Sequence, residues 1–155
     1  MKKLGFTLIE LLIVVGIIAI LVVVVFASLN PLELFAESRN AQRWSNVSEL
    51  LTALHVYTVQ KEGVVPNQDQ WSEGVYYVLG TSVKGCAETC GSIPVTDRCL
   101  DLTDMLKSKK ISQIPIDPLQ GDSNNTGYYV YRESGAIITV GSCFSEQNVK
   151  IKLSR

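Results

Sequence analysis

Five residues near the N-terminus could carry chemistry, and they lie just before or just inside the start of a long apolar segment. They are Lys2, Lys3, Gly5, Phe6 and Glu10. The carboxylate of Glu10 stands inside the apolar run, where a charged group costs about 2.5–3.5 kcal/mol on membrane-insertion scales. An acid in such a position predicts a functional role.

The segment that positions these residues runs from Phe6 to Phe26. It is long enough to cross a bilayer, since about 20 apolar residues span the hydrocarbon core. A plain transmembrane anchor would have the same length, and a secretory signal peptide could be cut after Ala27. The run exceeds the roughly 7–15 apolar residues of a signal peptide. A plain anchor explains neither the acid at Glu10 nor the glycine–aromatic junction before it.

The N-terminus resembles the leader and mature start of type IV pilins and of type II secretion pseudopilins: residues 2–10 read KKLGFTLIE. In that family a membrane peptidase cuts after the glycine and methylates the new N-terminal phenylalanine. The resemblance implies cleavage between Gly5 and Phe6. It also implies that Glu10 pairs with a Phe6 amine, on a neighbouring subunit or on its own chain. A buried charge needs such compensation, so the pairing would favour one stagger between subunits.

Hydrophobic periodicity and the resemblance together divide the chain into a leader, a long helix and a head. The leader is 1–5, the helix is 6–62 with 6–27 as its transmembrane or filament-core half, and the head is 63–155. Pro31 is expected to kink or break the helix, because proline removes a backbone donor and clashes one turn back. Pilins commonly carry a proline in this neighbourhood, which implies a role for Pro31 in assembly.

Beyond Pro31 the helix is predicted to be amphipathic, with an apolar stripe against the head. Charged residues, among them Arg39 and Arg43, fill the other faces. Gly63 and Pro66 predict its end. The apolar positions recur at three- and four-residue steps: Leu32, Phe35, Ala36, Val47, Leu50, Leu51, Leu54, Tyr57 and Thr58.

The head is predicted to be a small antiparallel β-sheet, which gives an α+β fold with the long N-terminal α-helix packed on it. Asp97 or Asp101 could cap a short helix around residues 100–109, and Glu133-Ser134-Gly135 has the spacing of a tight hairpin. The predicted strands are 75–79, 128–132, 136–140 and 149–153. The pilin family has this architecture.

Four cysteines lie in the distal half of the chain: Cys86, Cys90, Cys99 and Cys143. The basic N-terminus predicts a cytoplasmic start and an outside head, where disulfides persist. Three pairings are possible. We prefer Cys86–Cys90 with Cys99–Cys143, the latter worth about 4 kcal/mol in the chain-entropy model. The rival is a metal site, but Cys86-x3-Cys90 lacks the usual spacing and has no histidine nearby.

The segment 114–125, IPIDPLQGDSNN, looks like a loop of major pseudopilins and many type IV pilins. In type II pseudopilins this region contributes to a calcium site, and Ca²⁺ prefers oxygen ligands. Asp117, Asp122, Asn124 and Asn125 supply such oxygens, yet their spacing is not specific and these residue types form turns. We therefore favour turns over calcium and predict no metal and no cofactor.

Composition and motifs argue against an enzyme and do not indicate nucleic-acid binding. Loss of Lys2 and Lys3 with the leader takes the net charge from −1 to −3, and no Lys/Arg-rich block is present. The single histidine, His55, lies on the predicted helix, where a packed or surface side chain is the favoured interpretation. No phosphate loop or hydrolase motif appears, so we name no catalytic residue.

The sequence therefore predicts a type IV pilus subunit that polymerises through its N-terminal helix for adhesion, motility or DNA uptake. Its partners would be other pilin subunits, the membrane, a prepilin peptidase and the inner-membrane assembly machinery. It would be a single-pass membrane precursor with its head outside, and then part of an extracellular pilus. The alternatives are a type II secretion pseudopilin and a membrane-tethered binding protein that never polymerises.

Overall fold

The chain divides into two compact units, Met1–Phe35 and Ala36–Arg155. The computed structural model describes residues 5–28, 30–86, 89–107, 111, 113–134 and 137–155. The first unit carries the apolar helix, and the second contains a hydrophobic core of its own.

Two helices follow one another where the sequence predicted one helix with a kink or a break. They are α1 (Leu8–Ser28) and α2 (Pro31–Gln60). The carbonyl of Asn30 accepts the N–H of Leu34 at 3.2 Å, so hydrogen bonding of α2 begins at Asn30. A proline at the first helical position loses no helical hydrogen bond, because its missing N–H would have had no partner there. Pro31 therefore starts the second helix.

α2 buries one face in the second unit. The buried positions recur at steps of three and four residues, as an amphipathic helix requires. They are Ala36, Asn40, Arg43, Val47, Leu50, Leu51, Ala53, Leu54 and Tyr57. After Gln60 the chain turns at Gly63, whose φ of +96° glycine adopts without a Cβ clash. The N–H of Gly63 donates to the carbonyl of Thr58 at 2.8 Å. The predicted domain boundary after residue 62 stays a prediction.

The head contains seven short strands and one short helix among the described residues. They are β1 (Tyr76–Leu79), β2 (Thr89–Cys90), β3 (Ile93–Pro94), β4 (Cys99–Leu100), α3 (Thr103–Lys107), β5 (Tyr128–Arg132), β6 (Ile138–Ser142) and β7 (Lys152–Ser154). Five strands form one sheet in the order β4-β1-β5-β6-β7, and β2 pairs with β3 in a separate hairpin. The α+β class is confirmed.

The five-stranded sheet is mixed, which corrects the prediction of an antiparallel sheet. β1 pairs with β4 in parallel, with Val78 opposite Cys99, and the other neighbouring strands pair antiparallel. The long segment between β1 and β4 contains the β2–β3 hairpin, so the chain has room to return beside β1 in the same direction. β4 has two residues, too few for an alternating pattern to show in the sequence.

The other predicted strands are found near their expected positions, but two of them differ from the prediction in their bounds. β1 and β5 lie where they were predicted. β6 begins at Ile138, while Gly135 and Ala136, from the predicted hairpin and strand, lie outside the described residues. β7 is shorter than predicted, although Ile151 is buried and Lys152 exposed, as alternation requires.

α3 is capped by Asp101, one of the two predicted caps, whose carboxylate accepts the Thr103 N–H at 2.8 Å. Met105 of α3 is fully buried. Residues 108 and 109, the end of the predicted helix, lie outside the described residues. The core between α2, α3 and the sheet includes Val47, Leu50, Leu54, Trp71, Leu79, Leu100, Met105, Tyr128, Val130, Ile138 and Val140.

Candidate functional site

α1 is an apolar helix whose side chains are all exposed. It has 21 residues and buries none of them. Within the described part of the chain, it is the one helix long and apolar enough to cross a membrane. So large an apolar surface needs either lipid or other apolar helices around it.

Glu10 is held by the first turn of α1. Its Oε2 accepts hydrogen bonds from the backbone N–H of Thr7 at 2.9 Å and from the Thr7 hydroxyl at 2.8 Å. In return, the Glu10 N–H donates to Oγ1 of Thr7 at 3.3 Å. This reciprocal arrangement is a capping box, which satisfies backbone donors that a helix N-terminus otherwise leaves unpaired. The Thr-x-x-Glu spacing of Thr7 and Glu10 is the sequence signature of a capping box, which the sequence prediction missed.

The capping box gives Glu10 a role in its own chain beside the predicted pairing with an amine. Oε2 makes these hydrogen bonds, whereas Oε1 accepts none from the residues that the structure describes. A carboxylate offers about four lone-pair sites, so a second donor can still bind. Cleavage after Gly5 would place the new amine on Phe6, directly next to Thr7. The pairing itself stays a prediction.

The predicted cleavage junction is sterically open. Phe6 is 84% exposed, and a Cβ built on Gly5 would meet no atom within 4 Å. Lys2 and Lys3, which the resemblance assigns to the leader, lie outside the described residues. A peptidase would therefore meet no packed side chain at this peptide bond.

A second polar site lies in the head, beneath α2. Arg43 is fully buried, and its guanidinium contacts two carboxylates: Nε lies 2.6 Å from Asp117 Oδ2, and Nη1 lies 2.7 Å from Glu146 Oε2. Nη1 also donates to the side-chain oxygen of Asn40 at 3.0 Å. Arg39 makes two hydrogen bonds to Glu146, at 2.5 and 2.7 Å. These five residues, which we call the Arg43 network, join α2 to two loops of the head.

The Arg43 network keeps its groups charged. Hydrogen bonds from Arg39 and Arg43 lower the pKa of Glu146 from 4.5 to about 2. Burial by itself lowers the pKa of Arg43, but its hydrogen bonds to Asp117 and Glu146 outweigh burial, and the pKa is raised. A buried charge is tolerated only when it is paired in this way. The network is therefore a structural site that fixes α2 on the head.

The sequence prediction missed the Arg43 network. It placed Arg43 on a face away from the apolar stripe, and the structure corrects this. Between Ala36 and Val47 the stripe has no apolar residue, but steps of four and three residues upstream from Val47 reach Arg43, Asn40 and Ala36. The regular spacing of these positions could have predicted that Arg43 is buried. A charged residue is usually placed on an exposed face, so the spacing was not followed through Arg43.

All four cysteines form disulfides, as predicted, but with different pairing: Cys86–Cys99 and Cys90–Cys143. The preferred pairing of Cys86 with Cys90 was wrong. The N–H of Cys86 donates to the Asp97 carbonyl at 2.7 Å, which brings Cys86 beside β4 and Cys99. Cys90 of β2 packs with Cys143 in a small second cluster on the sheet. The pairing depends on β4, which the sequence did not reveal.

The loop before β5 is built from turns. Oδ1 of Asp117 accepts the N–H groups of Leu119 and Gln120, at 2.9 and 3.1 Å. Oδ1 of Asp122 accepts two backbone N–H groups at 2.7 Å each. Such side-chain-to-backbone bonds are those of Asx turns. No group of three or more His, Cys, Asp or Glu side chains suited to a metal occurs among the residues searched, those the structure describes.

A comparison with known protein families matches the N-terminus. The family model described as the prokaryotic N-terminal methylation motif matches residues 1–26. These residues contain the Gly5-Phe6 junction, the capping box and most of α1. No curated protein and no solved structure matches the chain.

Proposed function

We propose that this chain, whose residues 1–26 carry the prepilin signature of type IV pilins and pseudopilins, is a structural subunit of a type IV pilus. It polymerises through its N-terminal hydrophobic helix into an extracellular filament for adhesion, motility or DNA uptake. The observation that carries the proposal is the full exposure of α1, an almost wholly apolar helix. Such a helix needs lipid before assembly and copies of itself afterwards.

The precursor spans the inner membrane once, with its basic N-terminus in the cytoplasm and its head outside. A prepilin peptidase cuts between Gly5 and Phe6 and methylates Phe6, and the assembly machinery then moves the subunit from the membrane into the filament. The open geometry of the junction supports this step, because no packed structure has to unfold first.

Glu10 then makes two interactions at once, one with each carboxylate oxygen. Oε2 keeps the capping box with Thr7, and Oε1 receives the charged Phe6 amine of a neighbouring subunit or of its own chain. Without the amine, a carboxylate inside a bundle of apolar helices would be uncompensated. Side-chain packing of α1 supplies most of the cohesion, and the ion pair selects the stagger between subunits. Pro31, where α2 starts, marks the position at which helix geometry can change on assembly.

A pseudopilin of a type II secretion system is the second candidate, because the methylation motif is common to both. We favour the pilus for two reasons: the head carries two disulfides, and Asp117 and Asp122, in the loop where type II pseudopilins contribute to a calcium site, are used in Asx turns. The length of sheared filaments separates the two: a pilus gives long fibres, whereas a pseudopilus gives short ones. A membrane-tethered binding protein would give none.

The first test of the proposal is the mass of the mature chain. We expect an N-terminus at Phe6 carrying one methyl group. A chain that starts at Ser28 would mean export of the head without its helix, and an uncut chain would mean a plain anchor. Either mass contradicts the proposal.

A matched pair of variants locates the cleavage site. Gly5→Leu should accumulate as uncut precursor, because a bulky side chain occupies the site of cleavage. Gly5→Ala adds one methyl group and should be processed at least in part. Equal processing of both variants would place the cleavage elsewhere.

A further inference from the structure

The face of the five-stranded sheet that points away from α2 carries a groove. Side chains alternate along β5, so Tyr128 and Val130 enter the core with α2, while Tyr129 and Tyr131 face the other way. The groove on this second face has a volume of about 510 Å³. Small-molecule sites in proteins commonly fall in the range of roughly 300–1,000 Å³.

Three tyrosines form the base of the groove. The rings of Tyr76 and Tyr131, which are cross-strand partners, stack with centroids 4.3 Å apart. Tyr129 packs edge-on against Tyr76 at 5.8 Å. It also lies across Gly141 of β6, where a Cβ would come within 2.5 Å of the phenol oxygen. Glycine at this position lets the ring lie flat on the sheet, so the aromatic base is preformed.

Two structural elements enclose the tyrosines. On one side, the β2–β3 hairpin contributes Ser92 and is fixed to the sheet by the Cys90–Cys143 disulfide. On the other side lie β7 and the residues just before it, including Lys150 and Lys152. A disulfide-held wall on a sheet keeps a site in shape before any ligand arrives.

The groove carries two lysines that the fold does not use in ion pairs. Lys150 and Lys152 are exposed and make no ion pair with the residues that the structure describes. Glu133 supplies one negative charge, and the hydroxyls of Thr139 and Ser154 lie 2.8 Å apart. The groove therefore offers net positive charge, hydroxyl groups and aromatic faces together.

We propose that this groove binds an acidic oligosaccharide, a sugar chain that carries a carboxylate. The C–H face of a pyranose ring packs on the negative face of an aromatic ring, and sugar hydroxyls need donors and acceptors like those of the groove. The two lysines select the carboxylate. A single-stranded nucleic acid is disfavoured, because the lining of the groove offers two lysines against Glu133, too few cations to neutralise a run of phosphates.

The test measures binding to the full-length protein in detergent micelles by calorimetry. The probes are 3′-sialyllactose and trigalacturonate, with lactose and maltotriose as their neutral counterparts. We expect at least one acidic sugar to bind roughly tenfold more tightly than its counterpart, the gain of one charged hydrogen bond. No binding of either acidic sugar, equal binding of the neutral sugars, or tighter binding of an oligothymidylate would overturn the proposal.

Variants then locate the site. Lys152→Glu should weaken binding of the acidic sugar roughly tenfold or more. Lys61→Glu makes the same charge change outside the groove and should have no effect. Tyr131→Ala should weaken binding of the sugar, while Tyr131→Phe retains the ring and should bind like the original protein. If Tyr131→Ala fails to fold, the Lys152→Glu variant still tests the site, because Lys152 is exposed. Unchanged affinity of Lys152→Glu for the acidic sugar would mean that the sugar binds elsewhere.

Discussion

Two charged residues stand on apolar helix faces of this protein, Glu10 in α1 and Arg43 in α2, and their surroundings are opposite. Arg43 is fully buried, and its partners Asp117, Glu146 and Asn40 all belong to the same compact unit, Ala36–Arg155. Glu10 is bound by Thr7 alone among the described residues, on a helix whose side chains are all exposed. The Ala36–Arg155 unit completes its own ion pairs, whereas α1 has an exposed apolar surface and a spare acceptor on Glu10, both of which the proposed assembly would use.

The largest effect on the head should come from Arg43→Leu. The variant leaves Asp117 buried without its cation, which costs about 3–5 kcal/mol of unfolding free energy. Thermal or chemical unfolding of the full chain in detergent measures it, with Arg98→Leu, an exposed arginine, as the control. Adding Asp117→Asn should recover part of the loss, because the amide oxygen still accepts the turn N–H groups without a charge. Unchanged stability of Arg43→Leu would mean that the head does not depend on this network.

The next largest effect should come from the disulfides. Loss of Cys90–Cys143, with a sequence separation of 53, should cost about 4 kcal/mol, and loss of Cys86–Cys99, with a separation of 13, about 3 kcal/mol. Paired alanine variants measure both costs by unfolding under oxidising conditions.

The pairing itself is read by peptide mapping. Digestion after Glu88, Arg98 and Arg132 separates all four cysteines into different peptides, and non-reducing mass spectrometry then identifies the linked ones. A peptide that joins Cys86 to Cys90 would contradict the structure. Free thiols in the exported protein would contradict the outside location of the head.

The smallest effect is a pH dependence that belongs to the head. The pKa of Glu146 falls from 4.5 to about 2 on folding, so its contribution to stability is complete above the unfolded pKa. The contribution is lost as the pH falls towards 2. The stability difference between the original protein and Glu146→Gln should therefore shrink between pH 4.5 and 2. A difference that stays constant over this range would mean that Arg39 and Arg43 do not hold the carboxylate.

The same two residues show what could be predicted from the sequence. α1 was predictable because a single apolar segment of membrane length satisfies its backbone hydrogen bonds in lipid only as a helix. The Lys-Lys-x-Gly-Phe sequence before it resembles the prepilin cleavage junction. The strands β1 and β5 were predictable for a similar local reason, since both are short runs rich in tyrosine and valine, which favour strands. Arg43 was not, since its burial depends on Asp117 and Glu146, which are distant in sequence. The disulfide pairing failed likewise, because it follows from the parallel contact between β1 and β4.

The central claim is that Glu10 serves assembly by its charge and not only by capping α1. Glu10→Gln separates the two roles, since glutamine also forms a capping box but cannot pair with a charged amine. Thr7→Ala is the reverse control, because it removes the hydroxyl of the cap and keeps the carboxylate. Membrane levels of both should be at least those of the original protein, because Glu10→Gln removes a costly intramembrane charge and Thr7→Ala removes only a hydroxyl.

The deciding measurement is the amount of filament sheared from cells that carry only one of these variants, normalised to its membrane level. We expect no filaments from Glu10→Gln or Glu10→Leu, because unpaired Phe6 amines would enter the bundle, and abundant filaments from Thr7→Ala. Abundant filaments from Glu10→Gln, or a loss confined to Thr7→Ala, would show that Glu10 acts as a helix cap alone and that the assembly mechanism is wrong.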